Sequence, residues 1–282
     1  VFDSVMAFNN AGFSLNSDSL TLYAGDGLVI LPIAFAVFAG AIGFPVLAEL
    51  FKEWRTPDRW TIHTRLTVWG SIGLLVFGAV TFLLFEWSNA DTLGGMSFWD
   101  KIVTGVEGGI MPRSGGLNSF DWGSVQPETL NIGVLMMFIG GGSASTAGGI
   151  KITTFLLLAY VILAELRGDP DVTIGNRSIG SVTIRSAIAI ALLAVMLVTT
   201  ATLVLMTLTD LGYDEALFEC TSAFATVGLS TGITPELSAS GQMVLIVLMF
   251  VGRVGTITAA SAFVLRQRIP RYHFPQEQPI IG

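Results

Sequence analysis

Apolar residues along the 282-residue chain are grouped into long runs separated by short polar segments. A helix that crosses the hydrocarbon core of a bilayer needs about 20 apolar residues. Four uninterrupted runs reach that length, and a fifth run, residues 130–166, is longer but is interrupted by glycine and serine. The pattern therefore predicts membrane-spanning helices over residues 28–50, 66–85, 186–209 and 243–265, together with a broken helix over 130–166.

Composition and charge agree with a membrane protein that crosses the bilayer several times. The chain is 52% hydrophobic and 12% charged, with a mean hydropathy of +0.70. Ten of its fourteen Lys and Arg fall in three segments, which the positive-inside rule assigns to the cytoplasm. The alternate segments hold Lys101 and Arg113 against fourteen Asp and Glu, a formal charge of −12 that would attract cations to the outer face. The net charge of −7 accordingly does not indicate a nucleic-acid partner.

Three short glycine-centred stretches recur between the runs. Gly12, Gly116 and Gly228 are 104 and 112 residues apart, and each is followed 22 to 26 residues later by Phe-x-Gly. Each stretch follows a segment that predicts a short helix, so we infer an internal duplication.

Glycine-centred bends can turn several carbonyl oxygens toward one axis, where they replace the water around a dehydrated alkali cation. We therefore predict an ion filter that holds an alkali cation at Gly12, Gly116 and Gly228. Its predicted residues are Asn10, Ala11, Gly12 and Phe13; Ser114, Gly115, Gly116 and Leu117; and Thr226, Val227, Gly228 and Leu229.

The interruption in the fifth run is a stretch of small residues at membrane depth. Irregular backbone survives there only where it is buried in protein or lines a watery cavity, so we predict a gate loop below the filter. A contact between helices through small residues is the alternative. The predicted gate residues are Gly140, Gly141, Gly142, Ser143, Ser145, Thr146, Gly148 and Gly149.

Two basic residues at membrane depth complete the predicted gate. At about 5 Å and an effective dielectric of 20, Arg253 would repel a monovalent cation by roughly 3 kcal/mol. A structural tie between Arg253 and the carbonyls of the loop is the other interpretation, and the two roles are compatible. Lys151 belongs either to the gate or to the class of snorkelling lysines.

Other candidate chemistry in the sequence is sparse. Glu107 is either a hydrogen-bonded loop carboxylate or a residue that recruits ions, and we interpret Cys220 as a packing residue. A coupled secondary transporter with its substrate site at the broken helix is an alternative function. An intramembrane hydrolase using Ser114 or Ser143 would lack a histidine within a predicted span to act as a base, so we expect no enzyme.

These motifs together resemble the Trk/Ktr/HKT superfamily of potassium transporters, and its KtrB-like membrane subunits in particular. The residues that carry the resemblance are Asn10-Ala11-Gly12-Phe13, Arg113-Ser114-Gly115-Gly116, Ala225-Thr226-Val227-Gly228, the run from Gly142 to Lys151, and Gly252-Arg253-Val254-Gly255. The resemblance implies an all-α membrane protein with pseudo-fourfold repeats of transmembrane helix, pore helix, filter loop and transmembrane helix. It implies potassium uptake across the cytoplasmic membrane, with K+ held at Gly12, Gly116 and Gly228.

The resemblance also implies how the chain is divided and what it assembles with. Residues 1–50 would be the second half of repeat 2, 51–168 repeat 3, 169–268 repeat 4 and 269–282 a cytoplasmic tail. The chain would then lack one and a half N-terminal repeats. The implied partners are K+, the lipid bilayer, a second copy in a homodimer, and a cytosolic nucleotide-binding RCK/KtrA-like ring. No bound cofactor is implied, and Na+ is a second candidate for the transported ion.

The third-repeat filter departs from the family pattern. Gly115 and Leu117 stand where a larger residue and an aromatic are more usual, so we expect looser packing there.

Overall fold

A computed structural model describes the backbone of residues 1–265 and the side chains of residues 1–254. This part of the chain is almost entirely helical. Its α-helices are α1 (Phe2–Phe8), α2 (Gly27–Ile42), α3 (Phe44–Glu53), α4 (Ile62–Glu86), α5 (Phe98–Ile110), α6 (Pro127–Phe138), α7 (Ile152–Arg167), α8 (Ser181–Leu208), α9 (Tyr213–Phe224) and α10 (Ala239–Leu265). A short hairpin of two strands with two residues each, β1 (Thr173–Ile174) and β2 (Arg177–Ser178), lies between α7 and α8. Short 3₁₀ turns lie at Thr21–Tyr23, Pro57–Arg59, Trp122–Ser124 and Thr234–Glu236.

Two helices in the described residues, α4 and α8, are long and apolar enough to cross a membrane, and a third span is possible if a bent pair counts as one. That pair is α2 and α3, which meet at 101°. The prediction of one continuous helix over residues 28–50 is therefore wrong. The break is at Gly43, whose φ of +97° lies outside the helical region. Pro32 is accommodated inside α2, whereas Pro45 lies in the first turn of α3, where its missing N–H costs nothing.

The predicted interruption of the fifth apolar run is confirmed, since α6 ends at Phe138 and α7 begins at Ile152. α5 begins after its N-cap Ser97, whose Oγ accepts the Asp100 N–H. The N-cap of α9 is Gly212, and the Glu215 carboxylate accepts its N–H at 3.4 Å.

The short helices α5 and α9 are largely buried among the longer ones, whereas α1 packs against α2 through Ala7 and leaves Phe2, Val5 and Phe8 exposed. α1 and α5 share a buried apolar cluster with α2, and α9 shares one with α8 and α10. Apolar side chains on the outward faces of α4 and α8 are exposed instead, including Leu84 and Leu192. This distribution suits a membrane protein, whose outer surface meets lipid while its interior holds short helices.

Candidate functional site

The loops that carry the predicted filter glycines each follow one of the short helices. α1, α5 and α9 all end within six residues of a filter glycine. After α1 the Ala11 N–H donates to the Met6 carbonyl at 3.1 Å, and after α9 the Val227 N–H donates to the Ser222 carbonyl at 2.9 Å. A helix carries about half a negative charge at its C-terminus, so these loops lie where a cation is favoured.

The backbone of the three loops follows one pattern of dihedral angles. The residue two positions before each glycine has a positive φ: +50° at Asn10, +68° at Ser114 and +49° at Thr226. The glycines are also positive, at +69° for Gly12, +70° for Gly116 and +95° for Gly228, whereas the residues between have negative φ. Alternation of this kind turns successive carbonyls toward the same side. A left-handed non-glycine residue costs about 1–2 kcal/mol, and such strain is concentrated at functional sites.

The three predicted filter glycines meet in space. A Cβ atom built on Gly116 would lie within 3.0 Å of both the Gly12 Cα and the Val227 carbonyl oxygen. One built on Gly12 would lie 2.9 Å from that oxygen, and one on Gly228 would lie 3.8 Å from the Gly116 Cα. Because the neighbouring atoms are backbone and cannot yield easily, side chains at positions 12 and 116 would force the loops apart.

The residues after the glycines differ in their surroundings. Leu117 and Leu229 are 0% and 3% exposed, whereas Phe13 is 68% exposed. A Cβ atom on Gly115 would lie 2.7 Å from the Met111 sulfur. The expectation of looser packing in the third-repeat filter is therefore wrong, because Leu117 fills the core and Met111 covers Gly115.

The predicted gate loop is an irregular segment between α6 and α7, and hydrogen bonds join its two ends, which we call the neck of the loop. The Gly140 N–H donates to the Ile150 carbonyl at 2.9 Å, and the Ile150 N–H donates to the Phe138 carbonyl at 3.2 Å. The loop is also bound to the end of α2, where the Ala41 carbonyl accepts the Gly142 N–H at 2.8 Å. The alternative of a small-residue contact between helices is wrong, because residues 140–149 are not helical.

The far end of this loop contacts two of the filter loops directly. The Thr146 hydroxyl donates to the Asn10 side-chain oxygen at 2.5 Å, and the Gly148 N–H donates to the Ser114 hydroxyl at 3.2 Å. Asn10 and Ser114 are the residues with positive φ in their loops. The gate loop is therefore attached at equivalent positions of two repeats.

Arg253 joins the filter loop that carries Gly228 to the gate loop. Its guanidinium Nη1 donates to the Thr146 carbonyl at 2.6 Å and to the Thr226 hydroxyl at 3.4 Å. Thr226 is the positive-φ residue of its loop. This contact corresponds to the structural tie between Arg253 and the loop carbonyls.

Other predicted gate residues stabilise the loop itself. The Lys151 ammonium donates to the Ala147 carbonyl at 2.7 Å, so it binds within the loop rather than reaching toward a membrane surface. The Ser145 hydroxyl accepts the Ala147 N–H at 3.3 Å, and the Ser143 hydroxyl lies 3.3 Å from that of Thr153. The remaining predicted gate residues, Gly141, Gly142 and Gly149, are buried.

The assignment of Arg113 to the outer face is wrong. Its side chain is 2% exposed and donates to the Ser71 carbonyl on α4 at 3.2 Å and to the Gly140 carbonyl at 3.3 Å. Arg113 follows the buried helix α5 and lies inside the protein, although a count of charges along the sequence assigns it to an outer loop. Arg113 thus connects the filter loop that carries Gly116 to Gly140 at the base of the gate loop.

Two buried carboxylates behind the filter were not predicted as a set. Glu219 accepts the Thr231 N–H at 2.9 Å and the Thr234 hydroxyl at 2.8 Å, and Glu107 accepts the Ser119 N–H at 2.6 Å. Of the two readings of Glu107, the structure supports the hydrogen-bonded carboxylate. The sequence signal was available, since an acidic residue precedes each filter glycine by nine positions, at Asp3, Glu107 and Glu219.

Comparisons with known proteins place this geometry in a family. A family model described as "TrkH: Cation transport protein" matches residues 1–270. The Ktr system potassium uptake protein B of Bacillus subtilis is 40% identical over 263 residues, covering 93% of this chain and 59% of that protein. The protein of the same name from Vibrio alginolyticus is 36% identical, covering 100% of this chain and 62% of that protein.

The fold agrees with a solved structure. The potassium transporter TrkH from Vibrio parahaemolyticus matches with a TM-score of 0.70 at 17% identity, over 90% of this chain and 56% of that one. The chain spans about three fifths of the length of the curated relatives it matches. Their names describe transport proteins and not enzymes. With the family model matching almost the whole chain, the protein belongs to the TrkH family of cation transport proteins.

Proposed function

We propose that this chain forms part of a pathway for potassium uptake across the cytoplasmic membrane. The observation that carries the proposal is the convergence of Gly12, Gly116 and Gly228 in loops with one shared dihedral pattern. Backbone carbonyls aligned in this way can replace the hydration shell of K+. The printed names of the relatives from Bacillus subtilis and Vibrio alginolyticus, potassium uptake proteins, support the choice of ion.

The same pathway is gated, in this proposal, by the loop of residues 140–149 together with Arg253. The loop is bound to the filter loops through Thr146 and Gly148, and Arg253 binds both the loop and Thr226. The guanidinium then acts in two ways. It holds the loop under the filter, and its charge raises the energy of a cation that passes.

In the proposed topology the chain crosses the membrane several times, with the β1–β2 hairpin and the 269–282 tail in the cytoplasm. The tail lies outside the described residues, so its cytoplasmic position stays a prediction. The homodimer and the cytosolic RCK/KtrA-like ring are likewise proposals based on the resemblance, as are the repeat boundaries at residues 50, 168 and 268.

Uptake of rubidium, as a tracer for potassium, tests the function directly. We expect the full-length protein to restore rubidium uptake in a host that lacks potassium transport, and excess potassium to compete with it. Measurement with and without sodium separates an uncoupled pathway from the coupled-transporter alternative. Failure to restore uptake despite normal membrane expression would contradict the proposal.

The topology makes a separate prediction for cysteine labelling. Asn176→Cys, in the β1–β2 hairpin, and Asp91→Cys, after α4, are expected to react with a membrane-impermeant maleimide from opposite sides. Both native residues are exposed, whereas the native Cys220 is buried and gives a low background. Reaction of both variants in intact cells would contradict the orientation.

Glu219 is expected to be needed for selectivity because its carboxylate holds the segment that follows the filter. Glu219→Ala removes hydrogen bonds to a charged group, each contributing roughly 1.5–3 kcal/mol, and should reduce the preference for potassium over sodium by about tenfold. Asp214→Ala is the matched control, since it removes one charge from an exposed position on the same helix. Equal effects of the two changes on rubidium uptake in competition with sodium would indicate surface charge alone.

A further inference from the structure

A large cavity lies on the proposed cytoplasmic side of the protein, and its lining residues belong to segments other than the three filter loops. Its volume is about 1090 Å³, enough for a substantial part of a lipid-sized ligand. It is lined by the start of α4, one face of α7 and the β1–β2 hairpin. The filter and gate residues described above do not line it.

Charge at one end of the cavity favours an anion. Arg59, Arg65 and Arg177 line it, and Asp58 is the only acidic residue among them. The Arg65 guanidinium also donates to the Asp58 carbonyl, which fixes the turn before α4. Arg59 and Arg177 come from segments more than 100 residues apart and are both exposed. A phosphate group can accept hydrogen bonds from two guanidinium groups at once.

The other end of the cavity is apolar and extends along α4. Gly70, Gly73 and Leu74 line it together with Leu156 of α7. A Cβ atom on Gly73 would meet nothing within 4 Å, so the helix surface is recessed at that position. From Ile62 to Leu74 the cavity wall follows α4 for about 18 Å toward the membrane interior. This length suits an extended hydrocarbon chain.

Aromatic residues mark the boundary between the two ends. Trp60 and Trp69 line the cavity, and Trp69 is 63% exposed. Tryptophan is enriched where the headgroups of a bilayer meet its hydrocarbon. The Trp60 indole N–H donates to the Glu53 carbonyl at 2.9 Å, which fixes that ring.

We propose that this cavity binds one anionic glycerophospholipid of the cytoplasmic leaflet. The phosphate lies between Arg59 and Arg177, and an acyl chain lies along the groove at Leu66 and Gly73. The inference depends on the membrane orientation proposed above and not on ion selectivity, so it can fail while the transport proposal stands.

The test is native mass spectrometry of the full-length protein, delipidated in detergent and titrated with phosphatidylglycerol. We expect one tightly bound phosphatidylglycerol, with phosphatidylcholine of the same chains binding at least tenfold more weakly. Each arginine near a charged headgroup changes affinity by about fivefold. Arg59→Gln combined with Arg177→Gln should therefore weaken phosphatidylglycerol binding by roughly 25-fold. Arg185→Gln, an exposed arginine that does not line the cavity, is the matched control and should bind as the unmodified protein does.

A second variant separates a lipid from a soluble anion. Gly73→Leu fills the apolar groove and should weaken both lipids by at least tenfold, without affecting any binding of inorganic phosphate. Wild-type phosphatidylglycerol affinity in the double arginine variant would overturn the proposal. So would inorganic phosphate that binds as tightly as the lipid with no effect of Gly73→Leu, which would identify a site for a soluble anion.

Discussion

Replacing Gly116 by alanine is expected to lower rubidium uptake by the full-length protein more than tenfold and to remove its preference for potassium over sodium. A methyl group there would lie within 3.0 Å of the Gly12 Cα and the Val227 carbonyl oxygen. Both are backbone atoms of other filter loops, so relief requires these loops to separate. The added cost of a left-handed alanine is about 1–2 kcal/mol. The combined displacement would spoil the carbonyl geometry that the proposed filter needs.

Gly168→Ala is the matched control for backbone strain. Gly168 ends α7 with a φ of +71°, almost equal to the +70° of Gly116, but a Cβ atom there would meet nothing within 4 Å. The two alanine variants therefore have the same backbone strain from a positive φ, but only the Gly116→Ala methyl group overlaps with neighbouring atoms. Uptake should be close to normal in Gly168→Ala at equal membrane expression. Normal selective uptake in Gly116→Ala would contradict the filter assignment.

Arg253→Gln is expected to raise rubidium flux by at least tenfold. The change removes a charge that would oppose a cation by roughly 3 kcal/mol at about 5 Å. It also weakens the 2.6 Å hydrogen bond that holds the Thr146 carbonyl. Initial rates of uptake, corrected for the amount of protein in the membrane, measure the effect.

Arg253→Lys separates the two contributions of the arginine. Lysine keeps the charge but cannot present the planar fork of a guanidinium to Thr146 and Thr226 together. Flux that stays low in this variant would assign most of the effect to charge, and raised flux would assign it to the lost tie. Unchanged flux in Arg253→Gln would remove Arg253 from the gate.

The sequence was sufficient to predict the broken helix and the grouping of three glycine loops. Both depend on local chemistry: residues 140–149 contain too much glycine for a stable helix, and duplicated landmarks at Gly12, Gly116 and Gly228 indicate duplicated structure. The structure brings these distant loops together, whereas the ion that they would hold stays a prediction.

The bend at Gly43 and the burial of Arg113 could not be predicted from hydropathy. The run over residues 28–50 is apolar on both sides of the bend, so hydropathy does not mark the change of direction, although Gly43 and Pro45 are residue types that commonly end and begin helices. A count of charges between predicted spans treats each residue as either inside or outside the cell, and therefore places Arg113 in an outer loop. Its partners Ser71 and Gly140 are 42 and 27 residues away, beyond the reach of local patterns.

Equivalent glycines in the Phe-x-Gly landmarks show that the duplicated units have diverged. A Cβ atom on Gly40 or Gly252 would collide with the last residue of the preceding pore helix, at the Phe8 or Phe224 carbonyl oxygen, whereas one on Gly140 would collide with the Gly148 carbonyl oxygen of the gate loop. The helix after the filter loop is thus in backbone contact with the end of the short helix at Gly40 and Gly252, whereas at Gly140 residue Gly148 of the 140–149 loop takes that place. In a pore built from identical subunits, a mutation alters every subunit in the same way. In a pore built from repeats within one chain, one repeat can acquire a regulatory loop while the other repeats keep their structure.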